Sequence, residues 1–219
     1  MMNKKRFLLL ILFVLIFAAG CRVKTVGEMS NAPTTLEKIH ARLLALETYQ
    51  SVATIAYKSN KGTNVYETFK QCRIDGKYRI EVTGPSHVAG NVTISDGKII
   101  TQLNPRISGQ VSVGVRENPE RSEIFLTSFI RNYFASAEVS VSVGNFGDGR
   151  ATVLETAIPG NHPYLATGRL WVDNATLDPV KLVIYDVDMS ERIIVNFTTF
   201  EYNIPLDDSL FTTRIPESR

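Results

Sequence analysis

The sequence predicts an α+β fold: one strongly curved antiparallel β-sheet with helices on its concave face. Two observations carry this. Apolar residues recur with a period of two over many short segments between residues 53 and 200. Turn dipeptides such as Asp75-Gly76, Asp96-Gly97 and Asp148-Gly149 separate those segments, which is the pattern of strands joined by tight hairpins. Counted this way there are about ten or eleven strands, and an antiparallel sheet of that size curls rather than lies flat. Only two segments carry helical periodicity, and their apolar stripes need a sheet to pack on.

The elements follow in chain order. Thr34 sits three residues before Glu37, the spacing of a capping box, and Leu36, Ile39, Leu43, Leu44 and Leu46 form one apolar stripe, so a helix opens there. After Tyr49 the period drops to two. Strands are expected around Ala53–Tyr57, Val65–Arg73, Tyr78–Val82, Val92–Ile94, Ile99–Leu103 and Val111–Val115, with breaks at Asn60-Lys61-Gly62, Gly84-Pro85 and Asn104-Pro105. A second helix is expected to open at Asn118-Pro119, with Asn118 or Ser122 as cap. It presents Ile124, Phe125, Phe129, Ile130 and Tyr133 and ends near Phe134. Strands resume at Val139–Val143, Thr152–Thr156, Leu170–Val172, Pro179–Tyr185 and Arg192–Phe200, with a loop at Gly160–Pro163.

The N-terminus reads as an export segment. Lys4, Lys5 and Arg6 precede an uncharged apolar run from Phe7 to Ala19. That run is shorter than the roughly 20 residues a membrane-spanning helix needs, but it suits a signal-peptide core. Ala18-Ala19-Gly20-Cys21 then resembles the bacterial lipobox, with Ala18 where Leu is usual; the alternative is an ordinary secretory signal with a coincidental cysteine. The lipobox reading makes residues 1–20 a lipoprotein signal peptide and Cys21 the lipidated residue. Residues 21–33, with Gly27, Ser30, Asn31 and Pro33, then form a flexible tether, and 34–219 a single domain. Two acyl chains hold a protein firmly to a bilayer, so the expected location is the extracytoplasmic face of the cell membrane. With Cys21 acylated, Cys72 has no intramolecular disulfide partner. A net charge of +2 over 219 residues argues against nucleic-acid binding, which favours a clustered basic face.

Four stretches resemble the LolA/LolB/RseB superfamily of lipoprotein carriers. They are the N-terminal helix running into a meander; Thr93-Ile94-Ser95-Asp96-Gly97-Lys98 leading to Leu103-Asn104-Pro105; Leu170-Trp171-Val172-Asp173 with Asp178-Pro179-Val180-Lys181-Leu182 and Tyr185-Asp186; and Phe200-Glu201-Tyr202-Asn203 followed by Pro205, Asp207, Asp208, Phe211, Ile215 and Pro216. The resemblance implies an incomplete, LolA-like barrel lidded by helices, with an apolar cavity for acyl chains or a peptide. An anchored protein does not shuttle, so the soluble carrier role does not transfer. Anchor, tether and single domain are similar to the GerS-like germination lipoproteins of clostridia. That similarity implies a non-catalytic module acting in spore germination or cortex modification by binding a cell-wall amidase. The alternative is a lipid- or lipoprotein-binding acceptor of the LolB or glycolipid-binding type. A homodimer is left open.

No constellation of catalytic or metal-ligating residues stands out. His40, His87 and His162 have no partners at metal-ligand spacing, and there is no nucleophile elbow or phosphate-cradling glycine loop. Asp186-Val187-Asp188 lacks the glycine and terminal Glu of a calcium loop and reads as a turn. Asp207-Asp208 reads as a turn or cap. No cofactor, no metal and no catalytic residue is therefore assigned. Ile55, Tyr57, Tyr78, Ile80 and Trp171 are the candidate groove-lining residues, with core packing as the alternative, since an apolar concave face is covered either by helices or by a ligand.

Overall fold

The computed structural model describes residues 33–106, the backbone of 110–114, and residues 123–212. The elements are α1 (Thr35–Leu44), β1 (Thr48–Ser59), β2 (Gly62–Arg73), β3 (Tyr78–Gly84), β4 (Val92–Ser95), β5 (Ile99–Leu103), β6 (Gln110–Gly114), α2 (Leu126–Ala135), β7 (Val139–Phe146), β8 (Gly149–His162), β9 (Leu165–Asp173), β10 (Pro179–Tyr185), β11 (Glu191–Tyr202) and a 3-10 turn at Asp208–Phe211. The compact unit begins at Thr34.

All eleven strands share one sheet in the order β6-β5-β4-β3-β2-β1-β11-β10-β9-β8-β7, and the paired neighbours are antiparallel. Each half, β1–β6 and β7–β11, is a simple meander. The halves join where β1 pairs with β11, and β6 and β7 remain as edges, so the barrel is open. The chain passes from one edge to the other through the segment that carries α2.

From Glu123 on, that segment lies on the concave face. Near its start Lys70 Nζ of β2 donates to the carbonyl of Ile124 at 3.1 Å, and Phe125 packs on Tyr78 of β3 with centroids 4.4 Å apart. Further along, Phe129 lies over Gly168 of β9, where a Cβ would come within 3.2 Å of its ring. Thr156 of β8 donates to the carbonyl of Asn132 at 3.5 Å. A bare backbone at Gly168 is what lets the helix sit this close. Inward positions of β9, β10 and β11 supply Leu170, Val172, Leu182, Ile184, Ile193 and Val195. Ile39 and Leu43 of α1 and Leu126, Phe129 and Ile130 of α2 complete the core.

The first helix starts as its sequence requires. Thr34 Oγ1 accepts from the Glu37 amide at 3.2 Å, and Glu37 Oε2 accepts from the Thr34 amide at 2.6 Å, satisfying two otherwise orphaned donors. Beyond the helix end, Asn203, at φ 53°, donates to Ala45 O at 2.9 Å and accepts from the Glu47 amide at 2.8 Å. It thereby ties α1 to the end of β11.

Two expectations are corrected. The second helix begins at Leu126, with Phe125 in the cap position and no side-chain cap; Asn118, Pro119 and Ser122 lie outside the described residues. The anticipated loop at Gly160–Pro163 is a continuation of β8 to His162, which pairs with Leu165 across an irregular register. Gly160 at φ +108° and Asn161 at φ 51° absorb the irregularity, glycine being the residue least penalised there. Asp186 organises the β10–β11 turn: its Oδ1 accepts from the amides of Asp188 and Ser190 at 3.0 and 2.8 Å, and its Oδ2 pairs with Arg192 at 2.6 Å. Asp207 caps the 3-10 turn through the Ser209 amide at 2.8 Å.

Candidate functional site

Strand alternation decides where the candidate residues go. Directly paired residues share a face. Ile55 faces the core and is buried. Tyr57, two residues on, is half-buried at the rim, and Tyr78 and Ile80 are half-buried against the core cluster. Trp171 stands on the opposite face, because its neighbours Leu170 and Val172 occupy the inward positions and are fully buried. Four of the five residues therefore share the concave side, and Trp171 belongs to a separate surface. Cys21 lies outside the described residues.

At one end of the sheet the β1–β2 and β8–β9 hairpins and the start of β11 border an open cleft of ≈ 630 Å³. Tyr57, Leu165 and Ile193 line its apolar part, and Lys58, Lys61, His162, Tyr164 and Arg192 its rim. Two rim cations are already paired, Lys58 with Glu191 at 2.6 Å and Arg192 with Asp186. Arg192 also lies over the Tyr164 ring, 5.2 Å from its centroid. The size falls within the range typical of small-molecule pockets, about 300–1,000 Å³.

Under the start of α2 lies a polar patch that the periodicity of β1 and β2 conceals. Tyr49 pairs with Cys72, and Ser51 with Lys70, on the inward face. All four are buried. Lys70 has the Ile124 carbonyl as hydrogen-bond acceptor and the Phe125 ring 5.9 Å away; burial pulls its ammonium down to about 8, which the nearby Cys72 partly opposes. Burial likewise pushes the Cys72 thiol up to about 12 and the Tyr49 hydroxyl well above its ordinary value. Ser51 Oγ makes no hydrogen bond among the described residues. A lysine inside an alternating strand looks like an outward residue in sequence, and only the pairing register reveals otherwise.

Strand β7 is a free edge. Val139, Val141 and Val143 pair with Thr156, Leu154 and Thr152, all inward residues, yet the valines are 45%, 42% and 56% exposed. The helix α2 packs on β8, the next strand in. Phe134 at the end of α2 and Leu44 at the end of α1 are also exposed, and His40, one turn before Leu44, touches Phe134 with ring centroids 5.5 Å apart. His40 also contacts the Tyr133 hydroxyl at 3.1 Å.

Among the described residues no group of three His, Cys, Asp or Glu side chains is placed to hold a metal, and no helix is long and apolar enough to cross a membrane. His87 is exposed in the turn after Gly84-Pro85, and His162 ends β8. Cys72 is a free thiol.

A family model described as "Sporulation protein YdcC-like" matches residues 4–211. No curated protein matches the chain. Among solved structures, an uncharacterized conserved protein from Thermus thermophilus is similar at TM-score 0.53 and 12% identity, over 84% of this chain and 96% of that one. A chain of the structure of the CwlD amidase from Clostridioides difficile in complex with the GerS lipoprotein is similar at 27% identity and TM-score 0.48, over 80% of this chain and 100% of that one. Mycobacterium tuberculosis lipoprotein LppX is similar at 11% identity and TM-score 0.46, over 79% and 96%.

Proposed function

The chain belongs to the YdcC-like sporulation protein family, and from that membership we propose that it is a membrane-anchored, extracytoplasmic binding module, without catalysis of its own, that holds a cell-wall amidase during germination or cortex modification. The amidase as partner rests on the sequence resemblance to GerS-like lipoproteins. The observation that carries the binding role is the uncovered apolar surface of β7, Phe134 and Leu44. A strand edge ordinarily carries charge, proline or a bulge to discourage pairing, whereas Val139-Ser140-Val141-Ser142-Val143-Gly144-Asn145-Phe146 contains neither charge nor proline. Such an edge accepts a partner strand, with main-chain hydrogen bonds for affinity and the valines for side-chain contact.

The test is affinity purification of the anchored protein from its native membrane. Wild type is expected to bring down an amidase, and Val141→Lys, which puts a charge in the middle of the edge, to lose it while remaining folded. Equal recovery by the two proteins, or no amidase with either, refutes the proposal.

A second reading is supported by the end cleft, whose apolar wall and cationic rim suit an acyl lipid. Native mass spectrometry of the protein lacking its own acyl chains distinguishes the two: a retained lipid mass favours the acceptor role, and a bare chain counts against it.

A further inference from the structure

We propose that the outer face of β7–β9, the side away from the helices, is a binding site for a neutral saccharide. Two rows of cross-strand neighbours build it. One runs Ser142, Val153, Trp171, Lys181 and the other Ser140, Glu155, Arg169. Between them lies a pocket of ≈ 290 Å³ lined by Ser140, Ser142, Val153, Glu155, Arg169 and Trp171. Its shape follows from residue size. The first three outward positions of β7 are Ser140, Ser142 and Gly144, with Phe146 closing the end of the strand, while β8 and β9 place Glu155, Arg169 and the indole beside them, which leaves a trough along a ridge. At Gly144 a Cβ would stand 3.4 Å from Val153 and 3.9 Å from Trp171 Nε1, so its absence keeps the indole edge open.

The chemistry of the lining selects the ligand. The half-buried indole offers a flat apolar wall to the C–H face of a sugar ring, and its N–H is a donor. The two serine hydroxyls both donate and accept. Glu155 and Arg169 are paired with each other, and Lys181, whose Nζ lies 5.2 Å from the Trp171 ring centroid, stands 3.9 Å from Glu191, so the charges at the trough are balanced and call for none on the ligand. Together the pair sets an acceptor beside a fork of donors, the arrangement that vicinal hydroxyls satisfy. Because β7 is the sheet edge, the trough is open at its side and a polymer can run past it.

Trp171 is the sole tryptophan of the chain, so fluorescence excited at the red edge of indole absorption, where tyrosine does not absorb, reports on this site alone. The full chain is titrated with chitotetraose and cellotetraose, β-1,4-linked glycans with and without N-acetyl groups. A saturable shift of Trp171 emission with at least one of them is expected. Ser142→Leu, which fills the trough from an exposed position, should weaken it by about tenfold or more with an unchanged unfolding midpoint. No saturable response to either glycan, or a response that Ser142→Leu leaves intact, overturns the proposal. Val141→Lys, one residue away on the other face, should leave the glycan response intact, and Arg169→Ala, on β9 and off the β7 edge, should leave amidase recovery intact; the two readings therefore fail separately.

Discussion

Lys70 shows how a single side chain records its surroundings. It faces Ser51 across the strand pair, with Tyr49 and Cys72 diagonal and adjacent to it and Phe125 above. Its ammonium is held down at about 8 from an ordinary 10.5, so between these values the folded chain binds fewer protons than the unfolded one, and stability rises with pH. Cys72 works the other way above its ordinary value of 9.0, because its thiol is held up to about 12. The Lys70 effect dominates from about pH 8 to 9, where it contributes about 1 kcal/mol and the unfolded Cys72 thiol, already ionising, takes back a few tenths. Urea denaturation across that window should show a net rise in wild type and a slight fall in Lys70→Met; a fall in wild type, or the same rise in the variant, contradicts this account. The lysine was legible in the sequence as a residue but not as a buried one, since an outward and an inward position of an alternating strand differ only by register.

At the scale of elements, local and non-local causes separate cleanly. The start of α1 depends on Thr34 and Glu37 alone, so Thr34→Ala should cost about 1 kcal/mol, read as a lower unfolding midpoint with the sheet signal retained up to it. That start was visible in the sequence because donor and acceptor lie three residues apart. The start of α2 was not. Its position is set by Lys70 reaching the Ile124 carbonyl and by Phe125 stacking on Tyr78, partners on strands about fifty residues earlier in the chain. The β8–β9 hairpin is similar: Gly160 and Pro163 signal a loop locally, yet His162 still pairs with Leu165 because the flanking strands hold the register. For β7, V-S-V-S-V was readable as a strand, but that its valines face inward and still meet solvent follows from where the helices stop.

At the scale of the whole molecule, the sheet is two meanders that meet through Tyr49 and Tyr202 at one end of the β1–β11 pair and Tyr57 and Ile193 at the other. This joint brings the two ends of the domain together, and Asn203 ties the end of α1 to the end of β11. The same molecule is proposed to carry three separate surfaces: the concave edge for a partner strand, the outer trough for a glycan, and an acylated Cys21 for the bilayer. The anchor is tested by Cys21→Ser, which should release the protein from the membrane fraction and abolish palmitate labelling. Retention at the membrane without label contradicts the lipobox reading.

The sequence by itself determined the elements and their kind: two helices, a run of hairpin-linked strands, the capping box and the turns at Asp75-Gly76 and Asp96-Gly97. Each of these depends on residues a few positions apart, so periodicity and turn chemistry suffice to specify it. Tertiary structure decided which face each strand shows, and hence that Ile55 joins the core, that Trp171 leaves it, and that Lys70 is enclosed. It also decided where α2 begins and which edge remains free. These depend on pairings between strands far apart in the chain, and on how far two short helices extend over a wide sheet, and neither leaves a local trace in the order of the residues.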